Sequence, residues 1–255
     1  TRFFVYYFQE EPTMALKEKL LAVAATMVFS LFSSITFAID YIRNEPNKKV
    51  IATEHYWEFN KRENPNRYGW CGHTALQSAM SAFYPKDPNT NKRIGVPTLS
   101  QIHNQFLKID PHGNRYGYKQ SNAECQGFGY CPELNLLKEG ATRFGFSTVR
   151  YNAYSELELF NGLKSIIDSG ATAVVLSRTY TRNVSGSSWG NVGHFYAVHG
   201  YRTEAGKSYL YVRDPVFEHG GDATDIHEIP MNKWWEQMKI KRGSGYYVGY
   251  FRVKK

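Results

Sequence analysis

A thiol, an imidazole and a carboxylate occur along this chain in an order that suits nucleophilic catalysis. Cys71 lies in Tyr68-Gly69-Trp70-Cys71-Gly72-His73-Thr74-Ala75-Leu76, where a Gly-marked turn runs into an apolar-periodic segment. His194 opens Gly193-His194-Phe195-Tyr196-Ala197-Val198-His199-Gly200-Tyr201, and Asp214 closes Tyr211-Val212-Arg213-Asp214-Pro215. A thiol attacks a carbonyl as the thiolate, a form that the N–H dipoles of a helix's first turn favour. An imidazolium at His194 would stabilise the thiolate and later give a proton to the leaving amine. Asp214 would orient the ring through its other nitrogen. Taken alone, Cys71 fits a buried cysteine at the start of a core helix better than a nucleophile, and it is the pattern around it that favours chemistry.

The elements that must position these groups follow from periodicity. Ala75, Leu76, Ala79, Met80 and Phe83 recur at three and four, which predicts a helix from Cys71 to Phe83, ended by Pro85. Further helices are predicted over Ser100–Lys108, over Pro132–Phe144 with Pro at the first position, and over Pro230–Lys239. Ser155 and Glu158 form a capping box for a helix to Asp168, which Gly170 stops. The period then switches to extended. Ala171–Ser177, His194–Arg202, Ser208–Asp214 and Gly245–Val253 read as strands.

Between the first two of these strands, residues 182–191 form a Gly- and Ser-rich loop leading onto His194. Residues 44–66 read as a polar lead-in. The Gly- and Pro-marked stretch 109–130 is either a wall of a substrate cleft or a surface excursion. Helices first and antiparallel strands second predict an α+β domain, N-terminal helices packed on a C-terminal antiparallel sheet.

Met14, Lys17 and Lys19 precede an uncharged apolar run, Leu20–Ala38, ending in Thr36-Phe37-Ala38. This is the layout of a signal peptide over residues 14–38, with 1–13 as upstream read-through and 39–255 as one exported domain. The alternative is a retained membrane anchor, since the run approaches the roughly 20 residues that span a bilayer. Such a signal points to a periplasmic or secreted bacterial protein, which leaves the Asn183-Val184-Ser185 glycosylation pattern little weight.

The net charge is +8 with no basic block, a diffuse surface able to meet anionic partners such as lipopolysaccharide, teichoic acid, phospholipid or nucleic acid. No specific nucleic-acid signal accompanies it. In an oxidising compartment Cys125 and Cys131 could close a disulfide, leaving Cys71 as the free thiol. A metal site on Cys125, Cys131 and His112 is the weaker alternative, because the spacing exceeds that of usual zinc knuckles. No cofactor is expected.

The three motifs together resemble papain-fold cysteine peptidases, closest to the branch of bacteriocin leader (double-glycine) processing peptidases. That branch typically shows Cys-Gly-Pro-Thr/Ala-Ala/Ser-Leu at the nucleophile, where this chain reads Cys71-Gly72-His73-Thr74-Ala75-Leu76. Its His opens an apolar strand ending in Gly-Tyr, matched by His194 and Gly200-Tyr201, and a later strand ends in Asp-Pro, matched by Asp214-Pro215. The resemblance covers residues 60–215 and implies catalytic roles for Cys71, His194 and Asp214.

One departure concerns the oxyanion. The family's Gln, about six residues before the nucleophile, falls at Pro65, so Asn66 becomes the candidate side-chain donor ahead of Asn64. His73 replaces a non-catalytic family residue and His199 lies on the opposite strand face from His194, so both are expected to be structural. His103, His112, His219 and His227 have no readable partner.

The leading expectation is an exported thiol hydrolase cutting a peptide or isopeptide bond through a Cys71 acyl-enzyme. Acyl transfer or cell-wall amide cleavage comes second. NlpC-type Asp-Cys-Ser-Gly is absent, and His194 follows Cys71 by 123 residues, far more than in transglutaminase-like domains. A catalytically inactive papain-fold module that binds an anionic surface or another protein is the non-enzyme alternative.

Overall fold

The computed structural model describes residues 39–56, 70–116, 118, 132–180, 183–184, 187–188, 192–215, 227–242 and 244–255. The segment 14–38 read as an export signal, Asn64 to Asn66, Cys125, Cys131 and His219 lie outside the described residues.

The chain enters as a hairpin of β1 (Tyr41–Glu45) and β2 (Lys48–Ile51), then gives three helices, α1 (Cys71–Ser81), α2 (Leu99–Ile109) and α3 (Leu134–Arg143). Next come β3 (Ser147–Ala153), α4 (Glu156–Asp168), β4 (Thr172–Tyr180) and a short hairpin of β5 (Asn183–Val184) and β6 (Ser187–Ser188). The remainder is β7 (Val192–Glu204), β8 (Lys207–Arg213), β9 (His227–Pro230), α5 (Met231–Met238), β10 (Ile240–Arg242) and β11 (Gly245–Lys254).

Nine strands among the described residues join in one antiparallel sheet, with the path β1-β2-β7-β4-β11-β10, β3 on β11, and β8 and β9 beyond β7. The long strand β7 organises it. Its first half pairs with β4, Ser177 opposite His194 and Ala173 opposite Val198, and its second half pairs with β2 and β8. Phe195, Tyr196, Ala197, Val198, His199 and Tyr201 are all buried in succession. Uninterrupted burial along a strand means that both its faces are covered, so β7 is a central element rather than a half-solvated one.

The α+β expectation holds, with the sheet larger than expected at its N-terminal end. The start of the lead-in belongs to the β1–β2 hairpin, because Lys48 to Val50 find ladder partners in Gly200 to Arg202 and bury Val50 and Ile51. That pairing is non-local and leaves no local periodic trace. Strand β3 was also unexpected. It is mostly exposed and polar, and its partner β11 is about a hundred residues away. The helix expected to begin at Pro132 begins at Leu134, with Glu133 at the N-cap position making no side-chain cap, so Pro132 lies outside it. The expected loop before His194 contains the β5–β6 hairpin.

Helix starts differ in how they are held. Ser155 caps α4 by accepting from the Glu158 N–H, while Glu158 accepts from the N–H of Tyr154, one residue earlier than an ideal box requires. The reciprocal capping box belongs to α2, between Thr98 and Gln101. Helix α4 ends as expected, with Gly170 at φ +71°, a conformation that costs a glycine little. Helix α1 has no side-chain cap at all.

Candidate active site

Cys71 is the first residue of α1 and is buried, and the helix packs against β7 and α3. Gly72 permits that approach. A Cβ there would meet Pro132 Cγ at 2.6 Å and Leu137 Cδ1 and Phe195 Cδ2 at 3.2 Å, so any larger residue would force the start of the helix and the Pro132 segment apart. The carbonyl of Trp70 accepts from both the N–H (3.0 Å) and the Oγ1 (2.9 Å) of Thr74, closing the first turn. N–H groups at the start of a helix have no intrahelical acceptor, and no capping side chain occupies them here.

His194 lies in β7, and Asp214 immediately follows β8. Nε2 of His194 is 2.7 Å from Oδ1 of Asp214, and its ring is also hydrogen-bonded to Cys71, a contact that therefore falls to Nδ1. All three side chains are buried, at 5 % for Cys71, 4 % for His194 and 3 % for Asp214. Burial works against a charge on His194. The Asp214 carboxylate and the Cys71 side chain outweigh it and hold the histidine well above its ordinary value. An imidazolium held between a sulfur and a carboxylate can stabilise a thiolate and donate a proton.

The surroundings fix this ring. Tyr196, two residues on, stands edge-on to His194 at 4.8 Å and 88°, and Trp234 of α5 stands edge-on to Tyr196 at 5.7 Å. Beside Asp214, the guanidinium of Arg213 is fully buried and donates to Thr53, to Oγ1 from Nε (3.2 Å) and to the carbonyl from Nη2 (2.8 Å). Arg213 thereby fastens the end of β8 to the segment after β2.

The structure brings together the three residues singled out for catalysis, Cys71, His194 and Asp214. Asn66 lies outside the described residues. His73 and His199 are buried and do not face the His194–Asp214 pair. His199 sits at a bulge between Val198 and Gly200, and its Nδ1 donates to the carbonyl of Ile51 at 2.8 Å. Burial first, with the nearby Arg213 charge, lowers it to about 3.

His103 does have a partner. Its Nδ1 and the Nε2 of His73 both meet the hydroxyl of Tyr118, at 2.7 Å and 2.5 Å. The indole of Trp70 stacks on both imidazoles, at 4.9 Å on His73 and 5.1 Å on His103. Sequence reasoning missed this cluster. His103 neighbours the apolar stripe Leu99, Ile102 and Phe106, which places it near the core, but nothing local to Tyr118 marks it as the bridge.

Among the described residues no group of three or more His, Cys, Asp or Glu is arranged to hold a metal ion, and no helix is long and apolar enough to cross a membrane.

Three solved structures are similar at low identity. A C39-like peptidase of Bacillus anthracis matches at 15 % identity and TM-score 0.34, over 51 % of this chain. This chain spans 62 % of that protein's length. The peptidase domain of Streptococcus ComA, a bifunctional ABC transporter involved in a quorum-sensing pathway, matches at 11 % and 0.38, over 79 % of this chain and 98 % of that domain. Xylellain, a cysteine protease of Xylella fastidiosa, matches at 13 % and 0.41, over 83 % and 87 %. No curated protein matches the chain. The sequence profile described as the Peptidase_C39 like family matches residues 53–241. That match takes in Cys71, His194 and Asp214 and well over half of the sequence, so the chain belongs to the Peptidase_C39 like family.

Proposed function

We propose that this chain is an exported cysteine hydrolase that cleaves a peptide or isopeptide bond through a Cys71 acyl-enzyme. The observation that carries this reading is the position of His194, hydrogen-bonded on one side to Asp214 and on the other to Cys71. The Cys71 sulfur attacks the carbonyl carbon, forming a C–S bond. The C–N bond then breaks, and the amine leaves with the proton of His194. Water, deprotonated by His194, releases the acid and restores the thiol. Asp214 keeps the ring in orientation throughout.

The N–H of Cys71 supplies one oxyanion donor, and the side chain of Asn66 supplies the second in place of the family's Gln. The Met14 to Ala38 segment supports export, and export supports a disulfide between Cys125 and Cys131. Peptides or proteins are the substrate class that the family implies. The diffuse +8 charge supports substrates presented on an anionic surface.

The test is incubation of the chain with a peptide library, with mass spectrometry of the products and of the protein. Wild type should yield new amino termini and a transient mass on Cys71 equal to the substrate minus its leaving amine. Cys71→Ala should yield neither, and equal turnover by the two would defeat the proposal. An added amine that captures the acyl group would make the chain a transferase. Asn66→Ala should lower kcat about 100-fold while leaving Cys71 alkylation unchanged.

The departure at Pro65 favours one other reading, a peptidase-like module that binds without cleaving. In that case binding of the same peptides would survive Cys71→Ala with no wild-type turnover.

A further inference from the structure

Helix α1 begins without a cap, although its first residue is the proposed nucleophile. A capping side chain would occupy the N–H groups at the helix start. Free N–H groups at a helix start favour a thiolate and an oxyanion, so a cap there would compete with the proposed chemistry. Helices α3 and α5 also start without a side-chain cap, so what is particular to α1 is the set of side chains packed around its first residues.

That set surrounds Cys71 in sequence. Trp70 precedes it and His73 follows two residues later. The Trp70 indole stacks on His73 and His103 with interplanar angles of 23° and 22°. Both imidazoles are gathered on the one hydroxyl of Tyr118, which is fully buried and edge-on to Phe106 at 5.5 Å. Tyr118 is itself placed by Asp110, the residue after α2. The Asp110 carboxylate accepts from the N–H of Arg115 (3.1 Å), Tyr116 (2.9 Å) and Tyr118 (3.3 Å). Burial would raise Asp110, but these donors hold it below its ordinary value.

A hydroxyl has one proton to give, so Tyr118 bridges two neutral imidazoles by accepting from one and donating to the other. Burial lowers both histidines, and the proximity of His103 lowers His73 further. Nδ1 of His73 is buried without a hydrogen-bond partner. The arrangement that puts no proton there has His73 Nε2–H donating to Tyr118, whose hydroxyl donates on to His103.

We propose that Tyr118 is a positioning residue for the nucleophile, clamping His73, His103 and Trp70 so that the uncapped start of α1 presents the Cys71 sulfur to His194. This rests on the hydrolase reading above. The clamp fixes the side chains on both sides of Cys71 and leaves the first-turn N–H groups unoccupied.

The experiment is the rate of Cys71 alkylation by iodoacetamide, located by peptide mass spectrometry, together with thermal unfolding. Four proteins are compared, namely wild type, Tyr118→Phe, the pair His73→Leu with Tyr118→Phe, and His194→Ala. Tyr118→Phe keeps the ring and removes only the bridge, and should slow alkylation of the folded protein about tenfold, because small misplacements are costly at a reacting atom. The pair also removes the buried His73 donor and leaves only the half-buried His103 without the hydroxyl, so part of the stability should return while alkylation stays slow.

If Tyr118→Phe alkylates within twofold of wild type, or if the pair restores the rate, the cluster is packing only and the proposal falls. Should Tyr118→Phe fail to fold, His103→Gln, at a half-buried site, must show the same slowing or the proposal falls. The two readings fail separately. Alkylation indifferent to His194→Ala defeats the hydrolase reading, whereas alkylation sensitive to His194→Ala but not to Tyr118→Phe defeats the clamp alone.

Discussion

On the sheet side of the site, His194 is held by a ladder. Its backbone pairs with Ser177 of β4, Tyr196 stands edge-on to the ring and Trp234 edge-on to Tyr196, and Asp214 follows a strand fixed at its end by Arg213. On the helix side, Cys71 stands at an uncapped helix start held by side chains drawn from α1, α2 and the loop after α2. A ladder distributes its hold over many backbone bonds, so losing one side chain leaves the strand in place. A side-chain clamp concentrates its hold in a few polar contacts inside a low-dielectric interior, where each loss is felt in full. Substitutions on the sheet side should therefore act through charge, and those on the helix side through geometry.

The largest effect expected from charge is that of His194→Ala. Without the imidazolium the sulfur loses its charge partner, and Cys71 alkylation at pH 6 should fall about 100-fold with little change in unfolding temperature, general acid–base groups being worth about 10²–10⁴. Next comes Asp214→Ala. With Asp214 gone, burial is opposed only by Cys71, so the His194 value should drop. The alkaline limb of the pH–reactivity profile should then move to lower pH, with a loss of about tenfold at pH 7.5. A profile unmoved by Asp214→Ala would break the charge side of the comparison. The stability term has the sign of a raised histidine, fully present below the unfolded value near 6.5 and lost as pH climbs through the folded one.

How far the sequence foretold this arrangement depends on the range of the interactions. Helix α1, strands β7 and β8, and the order of Cys71, His194 and Asp214 were legible, because periodicity and motif order are local properties. The β1–β2 hairpin was not, since what makes Lys48–Ile51 a strand is β7, some 150 residues later. Strand β3 shows the same limit, with a burial pattern too polar to mark a core face. The Tyr118 bridge was the least legible part. It joins three segments through one hydroxyl, and no spacing within any of them announces it.

His199 tests whether a buried imidazole on the sheet side is only a packed group. It is neutral in the fold, lowered to about 3, while the unfolded chain takes up a proton near 6.5. A lowered base removes stability as pH falls between these values, by about 1.4 kcal/mol per pH unit. His199→Gln keeps a donor for the Ile51 carbonyl and should flatten that acid slope by about one proton while leaving Cys71 reactivity unchanged. Urea unfolding between pH 4 and 7 reads the slope directly.

The smallest effect, and the sharpest control, lies at Asp168, at the end of α4. Its carboxylate binds Lys49 (2.9 Å), Lys164 (2.5 Å) and the Tyr201 hydroxyl (2.8 Å), tying α4 to β2 and to the far half of β7. Burial would raise the carboxyl, but Lys164, Lys49 and Tyr201 prevail and lower it to about 2. The group is partly solvated, so screening trims its worth to about 1–2 kcal/mol. Asp168→Asn should lose that much at pH 7. A depressed carboxyl contributes above its unfolded value, and the contribution fades as pH falls through about 2, so the two proteins should converge in strong acid. Tyr201 belongs to the same strand as His194, yet the ladder should keep the loss from reaching the ring. Cys71 alkylation by Asp168→Asn should stay within twofold of wild type. A fall as large as that expected for Tyr118→Phe would mean that β7 transmits displacement to its catalytic end, and that ladder and clamp are equally fragile.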